Sequence, residues 1–436
     1  MPVATVDTED GLLARIIIAV SPLTGHVLPM ALIGDRLRRE GHAVTVLTDE
    51  AHRHLVDREG LRFEPLPPAA CPQTPGPLSM PNRLLPNLIR RYLIGKADIR
   101  TTFVDPFVAQ HHALVGLLDA EPADAVFADL AFTGALPLLT SDEPRPTVFV
   151  CGVGPLTLSS TDTPPFGMSW IPRQGMDYRG MHAVVRHVMF RDVHDELNSA
   201  LNDVGAAPVG VPLLDWPRLA DRMLQLTIPE FEYPRTDLPA NVSYVGPVVR
   251  DDDACAFEPP QWWDDVLRAE TVVHVTQGTL DNGNLDQLIA PTLEAFADVA
   301  GVVVVATTGH GGLRLLSDVP SNAHVAEWIP YSALLPHVDV VITNGGYGGV
   351  QHALRYGIPV VVAGETADKA EVAARVEWAG VGVNVGTAHP TPSAIAAAVD
   401  ATHECREAAA RLGRAIEESR ALDTIASLLT REVLSA

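Results

Sequence analysis

Two features of this chain have residue types suited to chemistry: a histidine near the start and a glycine-rich turn in the second half. His26 ends the segment Ser21-Pro22-Leu23-Thr24-Gly25-His26. A β-branched run, Ile16–Val20, precedes the segment, and Leu28, Ala31, Leu32 and Leu37 follow at helical spacing. An imidazole titrates at about pH 6.5, so a histidine in such a turn can accept or release a proton near neutrality. The same position also suits a helix cap or a surface residue. The later turn, Asn344-Gly345-Gly346-Tyr347-Gly348-Gly349, follows the apolar run Val338–Thr343 and leads into a helical pattern that starts near Val350. Glycines let the backbone approach a ligand closely, and the unpaired N–H groups of a helix start attract anions. The turn therefore suits a phosphate or diphosphate, although tight packing of a helix on a strand would use the same residues.

Other motifs narrow the choice. A dinucleotide fingerprint starting at Gly346 would need a third glycine where Gln351 stands, yet the acidic Glu365 follows at about the right distance to hold a ribose. A Walker loop is excluded, because neither Lys96 nor Lys369 follows the required glycine pattern. Asp251–Asp253 could be taken for a metal site, but the run lies in a proline-rich segment and reads as a solvated loop. His182, His187 and His194 are spaced so that one helical face cannot carry all three, and they read as surface residues, as do His111 and His112. The Gly-rich turn 307–312 suits a connection or a ligand approach equally.

The elements that must position these residues follow one grammar. Ile16–Val20, a turn, a helix closed by Gly41 and a second run at Ala43–Thr48 form a βαβ unit, with further strands expected at Ala125–Ala128 and Thr147–Val150. The second half repeats the pattern at Thr271–Val275, Val302–Thr307, Val338–Thr343 and Ile358–Ala363. Short β-branched runs separated by helices indicate α/β architecture: two facing Rossmann-like, doubly wound parallel-sheet domains with an interdomain cleft. The expected boundaries are residues 1–231, a proline-rich linker at 232–262, a second domain at 263–416 and a final amphipathic helix at 417–436. Pro65–Asn87 and Pro155–Arg179 read as long loops. Met80, Phe103, Phe166, Met168, Trp170 and Met176 lie in or beside them, suited either to an apolar ligand or to packing the loops down.

Taken together, the opening Thr24-Gly25-His26-Val27-Leu28-Pro29, the Val275–Thr279 turn, Glu327–Tyr331, Tyr244–Val248 and the 340–369 block resemble the UDP-glycosyltransferase family, inverting enzymes of the GT-B fold. The resemblance spans nearly the whole chain. It implies that His26 is the general base, oriented by Asp129, and that Trp328 stacks on a nucleobase. It implies that Gly278, Thr279, Gly346, Gly348 and Gly349 bind the diphosphate, and that Asp368 and Lys369 read the sugar. Three positions depart from the family pattern. Asn344 stands for the usual histidine, His352 stands for the residue that grips the ribose (a role Gln351 could take), and Lys369 stands for a glutamine. The final helix is expected to cross back to the first domain. Phe103, Phe166, Met168 and Trp170 are the expected acceptor contacts, for a small, largely apolar molecule such as a polyketide, flavonoid or macrolide.

Composition sets the outer limits. A formal net charge of −23, from 31 basic and 54 acidic residues, repels nucleic acid and anionic membrane surfaces. The four cysteines include no C-x-x-C pair, so neither a disulfide framework nor a cysteine zinc site is expected. No apolar run is long enough to span a bilayer, and the acidic N-terminus lacks a signal-peptide layout, which points to the cytoplasm. The expectation is an enzyme with no metal or other cofactor, a nucleotide-sugar donor (UDP- or TDP-linked) as co-substrate, and a monomeric or homodimeric state. The rivals are a catalytically inactive nucleotide-sugar-binding relative and a nicotinamide-dependent oxidoreductase that uses Glu365.

Overall fold

The computed structural model describes residues 13–73, 87–250, 257–278, 282–309, 316, 318–365 and 368–434. Met80, Thr279, Asp251–Asp253 and residues 310–312 of the Gly-rich turn lie outside the described residues.

The first sheet has seven parallel strands: β1 (Arg15–Ala19), β2 (Ala43–Thr48), β3 (Arg62–Pro65), β4 (Ala125–Asp129), β5 (Thr147–Gly152), β6 (Arg222–Gln225) and β7 (Val242–Tyr244). Their order is β3-β2-β1-β4-β5-β6-β7. The second sheet has six: β8 (Thr271–Thr276), β9 (Val302–Thr307), β10 (Ala323–Ala326), β11 (Val340–Thr343), β12 (Val360–Val362) and β13 (Gly382–Asn384), in the order β10-β9-β8-β11-β12-β13. Both central strand sets are buried on two faces, which explains why they read as unbroken apolar runs rather than alternating ones. In each sheet the order reverses once, between β1 and β4 and between β8 and β11. Such reversals open a crevice at the carboxyl ends of the strands.

The helix Thr24–Arg39 buries Val27, Met30, Ile33 and Leu37 against Ile16, Ile18, Val44 and Val46. Gly34 lets it sit close, since a Cβ there would come within 2.9 Å of Ile18. The chain leaves this helix through Gly41, whose φ of +98° is left-handed.

Two expectations are corrected. The proline-rich segment is not simply a linker, because β7 lies within it and completes the first sheet, so the first domain extends beyond residue 231. A three-residue edge strand beside Pro239 leaves little periodic signal, and sheet edges tolerate proline where central strands do not. The C-terminal stretch is also not one helix. The helix Arg406–Ser419 packs on the second domain and ends at Arg420, which has a left-handed φ of +47°. The helix Ala421–Leu429 then crosses to the first domain, where Ile425, Ala426, Leu428 and Leu429 join the core around Val27 and Met30. Gly246, at φ +97°, passes so close to Ser419 that a side chain there would collide with it.

The docking of this last helix is testable. Leu429 is fully buried, so Leu429→Ala should destabilise the first domain by about 2–5 kcal/mol in urea unfolding. A loss under about 0.5 kcal/mol would be expected only if the helix were undocked.

Candidate active site at the two switch points

At the first switch point, β4 ends in Asp129, the turn after β1 carries Ser21, and His26 lies in the first turn of the helix Thr24–Arg39 rather than before it. Asp129 is fully buried and held by its surroundings. Its Oδ2 accepts the Ser21 N–H at 2.5 Å, and its Oδ1 accepts the Ala131 N–H at 2.6 Å. The same Oδ1 accepts from His26 Nδ1 at 3.1 Å. This bond fixes the tautomer that leaves Nε2 as the proton acceptor. The His26 side chain keeps 25% of its surface exposed, so a ligand can reach the ring. Burial disfavours the imidazolium, but the charge and hydrogen bond of Asp129, joined by the charge of Asp368, more than offset it and raise the His26 pKa above 6.5. Asp368 belongs to the second domain, so the histidine faces across the cleft.

At the second switch point, β8 and β11 run in register, with Thr276 opposite Thr343, which sets the turns that follow side by side. The Asn344 side chain bridges them, its Nδ2 donating to the Gln277 carbonyl at 2.5 Å. Gln277 in turn accepts the N–H groups of Leu288 and Ile289 on its Oε1, at 3.2 and 3.1 Å, tying the loop after β8 to the next helix. Gly278 has φ +74° and faces Asn344, and Gly345 has φ +90° with Val362 2.7 Å from where a Cβ would be. Gly364 lies so close to the Asn344 carbonyl that any side chain would force the turn away. The helix begins at Tyr347, not near Val350, with Gly346 as its N-cap. Gly348 and Gly349 therefore lie in its first turn, and both would project a Cβ into open space. Asp368 and Lys369 begin the helix Lys369–Trp378, and the Lys369 carbonyl is 3.3 Å from the Cβ position of Gly345. The turn and the Asp-Lys pair are thus neighbours.

The remaining candidates separate. Trp328 follows β10, which lies two strands from β8, and it is 62% exposed. His352 packs edge-on against Tyr331 at 5.2 Å, and Tyr331 packs against the buried His274 at 5.8 Å. Gln351 is buried, and its Nε2 donates to the Leu226 carbonyl of the first domain at 3.1 Å. That bond joins the domains. Phe103 packs down on the first-domain core beneath Thr133. Phe166 lines a cavity of about 80 Å³ together with Ile99, Phe190, His182 and His194. Met168 is half-buried and Trp170 is exposed. His182 and His194 are therefore not simply surface residues, although His187 is exposed. The five-residue π-helical stretch Val185–Met189 interrupts the helix. Phe190 then ends the stretch, and a second helix, Arg191–Asp203, carries His194, so positions 182 and 194 reach the cavity from separate helices.

A buried ionic cluster between the domains escaped the sequence reading altogether. Arg375 donates through Nε to Glu232 and through Nη1 to Glu371, both at 2.9 Å, and all three residues are buried. Its guanidinium lies 4.6 Å from the Tyr233 ring centroid. The only trace in the sequence is the Glu371–Arg375 spacing of an ordinary exposed helical pair. Among the described residues, no cluster of three or more histidine, cysteine or acidic side chains could hold a metal ion. None of their helices is long and apolar enough to cross a membrane.

The dyad has a signature in pH. Because its pKa is raised, His26 is neutral and able to act as a base only above that raised midpoint, and its ionic tie to Asp129 stabilises the fold most below pH 6.5 and is lost as pH rises through the raised midpoint. Asp129→Asn removes the charge while keeping an amide oxygen, so the His26 midpoint read by NMR titration should move down. A midpoint that stays in place would assign the raised value to Asp368 instead.

Comparison with known proteins agrees with this geometry. Residues 290–421 match the family described as erythromycin biosynthesis protein CIII-like, C-terminal domain. The chain is 37% identical to 4'-demethylrebeccamycin synthase of Lentzea aerocolonigenes, over 85% of this chain and 87% of the relative. It is 34% identical to UDP-glycosyltransferase 2 of Phaeomoniella chlamydospora, over 88% of each. The fold matches the crystal structure of the kitacinnamycin glycotransferase with a TM-score of 0.73, at 21% identity, over 97% of this chain and 99% of that one. With two parallel-sheet domains of GT-B architecture and relatives of this identity along most of its length, the chain belongs to the UDP-glycosyltransferase family and is a glycosyltransferase that uses a nucleotide-sugar donor.

Proposed function

We propose that the protein is an inverting hexosyltransferase that moves a sugar from a UDP- or TDP-linked donor to a hydroxyl of a small, largely apolar natural product. The observation that carries this reading is the His26–Asp129 dyad, set at the first switch point and facing Asp368 of the other domain. In this mechanism His26 Nε2 takes the acceptor hydroxyl's proton as its oxygen attacks the anomeric carbon. The bond from that carbon to the diphosphate oxygen breaks on the opposite face, so the configuration inverts. Asp129 stabilises the imidazolium that forms, which is the work of an orienting acid.

The leaving nucleoside diphosphate carries negative charge. The start of the helix Tyr347–Arg355 offers N–H groups and the positive end of its dipole, with Gly348 and Gly349 leaving room for phosphate oxygens. Asn344, Gly278 and Thr279 complete the phosphate contacts in this reading, and Trp328 stacks on the base. Asp368 and Lys369 contact the sugar hydroxyls, and no metal takes part. Lys369 and His352 are the positions at which donor choice would differ from that of relatives. The acceptor enters over the long loop that carries Phe166, Met168 and Trp170, and the synthase name of the relative from Lentzea favours a natural product.

Two experiments test the assignment. In a thermal-shift panel of UDP, TDP, GDP, ADP and NADH with EDTA, UDP or TDP should stabilise the protein, and stabilisation by NADH alone would overturn the reading. His26→Ala should lose about 10²–10⁴-fold in turnover with donor affinity nearly unchanged, whereas Trp328→Ala should weaken the nucleotide and spare the chemical step. Loss of donor binding in His26→Ala, with turnover of the bound donor intact, would mean that another residue is the base.

A further inference from the structure

Glu371 lies one turn into the helix that opens with Asp368 and Lys369, and it reaches across the cleft. One of its carboxylate oxygens, Oε1, accepts two backbone N–H groups of the first domain, from Gly167 at 2.8 Å and from Ser169 at 2.7 Å. Both donors are in left-handed backbone, Gly167 at φ +93° and Ser169 at φ +57°. Serine rarely adopts that region, so the loop holds a strained conformation there. Alternate N–H groups converging on one oxygen form a small anion-binding concavity, and here the anion is a side chain of the other domain. The other oxygen, Oε2, is taken by Arg375, which Glu232 also holds. Removing Glu371 therefore leaves the Arg375–Glu232 pair in place.

The captured loop is the one that presents Phe166, Met168 and Trp170, and Phe166 and Pro165 line the first-domain cavity. On the helical side, Asp368 comes near the loop after β5, its Oδ2 3.8 Å from the Cβ position of Gly154, and its charge acts on His26. One carboxylate thus connects the loop of the first domain to the helix whose start adjoins the glycine turn. We infer that Glu371 is a positioning residue: by capping the Gly167 and Ser169 N–H groups it holds the 165–170 loop in the conformation that receives the acceptor and registers it against the sugar-reading end of the donor site. This inference rests on the acceptor and donor assignments of the preceding subsection. Glu371 touches neither substrate in it, so its loss acts on acceptor recognition and not on the chemistry.

The test uses the full-length protein, UDP-glucose or TDP-glucose (whichever the wild type consumes) and quercetin as a flat phenolic acceptor. Glu371→Ala, which deletes the cap, should raise the acceptor KM by about tenfold or more. The nucleotide Kd should stay within about twofold, and acceptor-independent hydrolysis of the donor should persist. Glu371→Gln keeps an oxygen for both N–H groups and should recover most of the acceptor affinity, whereas Glu371→Met, of similar size but with no such oxygen, should not, which a merely space-filling role would not explain. Should Glu371→Ala fail to fold, Gly167→Ala serves instead. Its Cβ would meet nothing within 4 Å, so its strain is confined to the backbone of the loop. It should show the same selective rise in acceptor KM. An unchanged acceptor KM in the folded variant, or a nucleotide Kd that weakens in step with it, overturns the inference. A wild-type protein that neither binds a nucleoside diphosphate nor transfers sugar would instead overturn the functional reading, and the inference would fall with it.

Discussion

The constraint on which the rest of the structure depends is the parallel register of the two central strand pairs, β1 with β4 and β8 with β11. Because neighbouring strands in a parallel sheet end at the same edge, the turns after them must share one crevice wherever the strand order reverses. In the first sheet this brings the turn bearing His26 to the end of the strand bearing Asp129, although more than a hundred residues separate them. In the second it brings Asn344 against Gln277 and leaves the helix start at Tyr347 open. A shift of register in either pair would separate these groups. The chemistry therefore depends on backbone hydrogen bonding before it depends on any side chain.

The two crevices become one site only because the domains are held facing each other, and that contact is unusually polar. Gln351 reaches a carbonyl of the first domain, and Arg375 pairs with both Glu232 and Glu371 with almost no exposure to water. Burial alone would lower the Arg375 pKa, but the two carboxylates outweigh it and raise it instead. A buried ion pair is weak evidence of added stability, since desolvation offsets most of the attraction. Its directionality is the greater gain. Apolar surfaces can slide past one another, whereas a guanidinium gripping two carboxylates from two domains admits one relative placement. The final helix adds an apolar tether on the opposite side, where Leu428 and Leu429 bury against the first domain.

Much of this was legible in the residues. Apolar β-branched runs of strand length marked the central strands, and glycines marked the turns that needed positive φ or close approach. What escaped was whatever lacked a local signal. β7 is three residues long and lies among prolines, so nothing in its neighbourhood marks it as a strand. His182 and His194 stand on separate helices, divided by the π-helical stretch Val185–Met189 and by Phe190, so a reading along one continuous helix held that the three histidines share no face but missed the cavity that these two line. The start of the helix at Tyr347 was placed too late, because glycines discourage helix in the interior yet are tolerated in a first turn that faces a ligand crevice.

By itself the sequence determined the fold class, the two-domain plan and the His26 and Gly345–Gly349 turns, because these arise from short-range patterns: period, chain reversal and the steric freedom of glycine. Only the tertiary structure decided which residues meet. It set Asp129 against His26, a pairing the family resemblance implies but no local pattern shows, engaged Gln351 in the domain contact, and made Glu371, a residue with the look of an exposed helical acid, the cap of a strained loop in the other domain. Pairings across such distances depend on strand order and domain facing, and these are set by how whole layers pack, not by any residue's immediate neighbours.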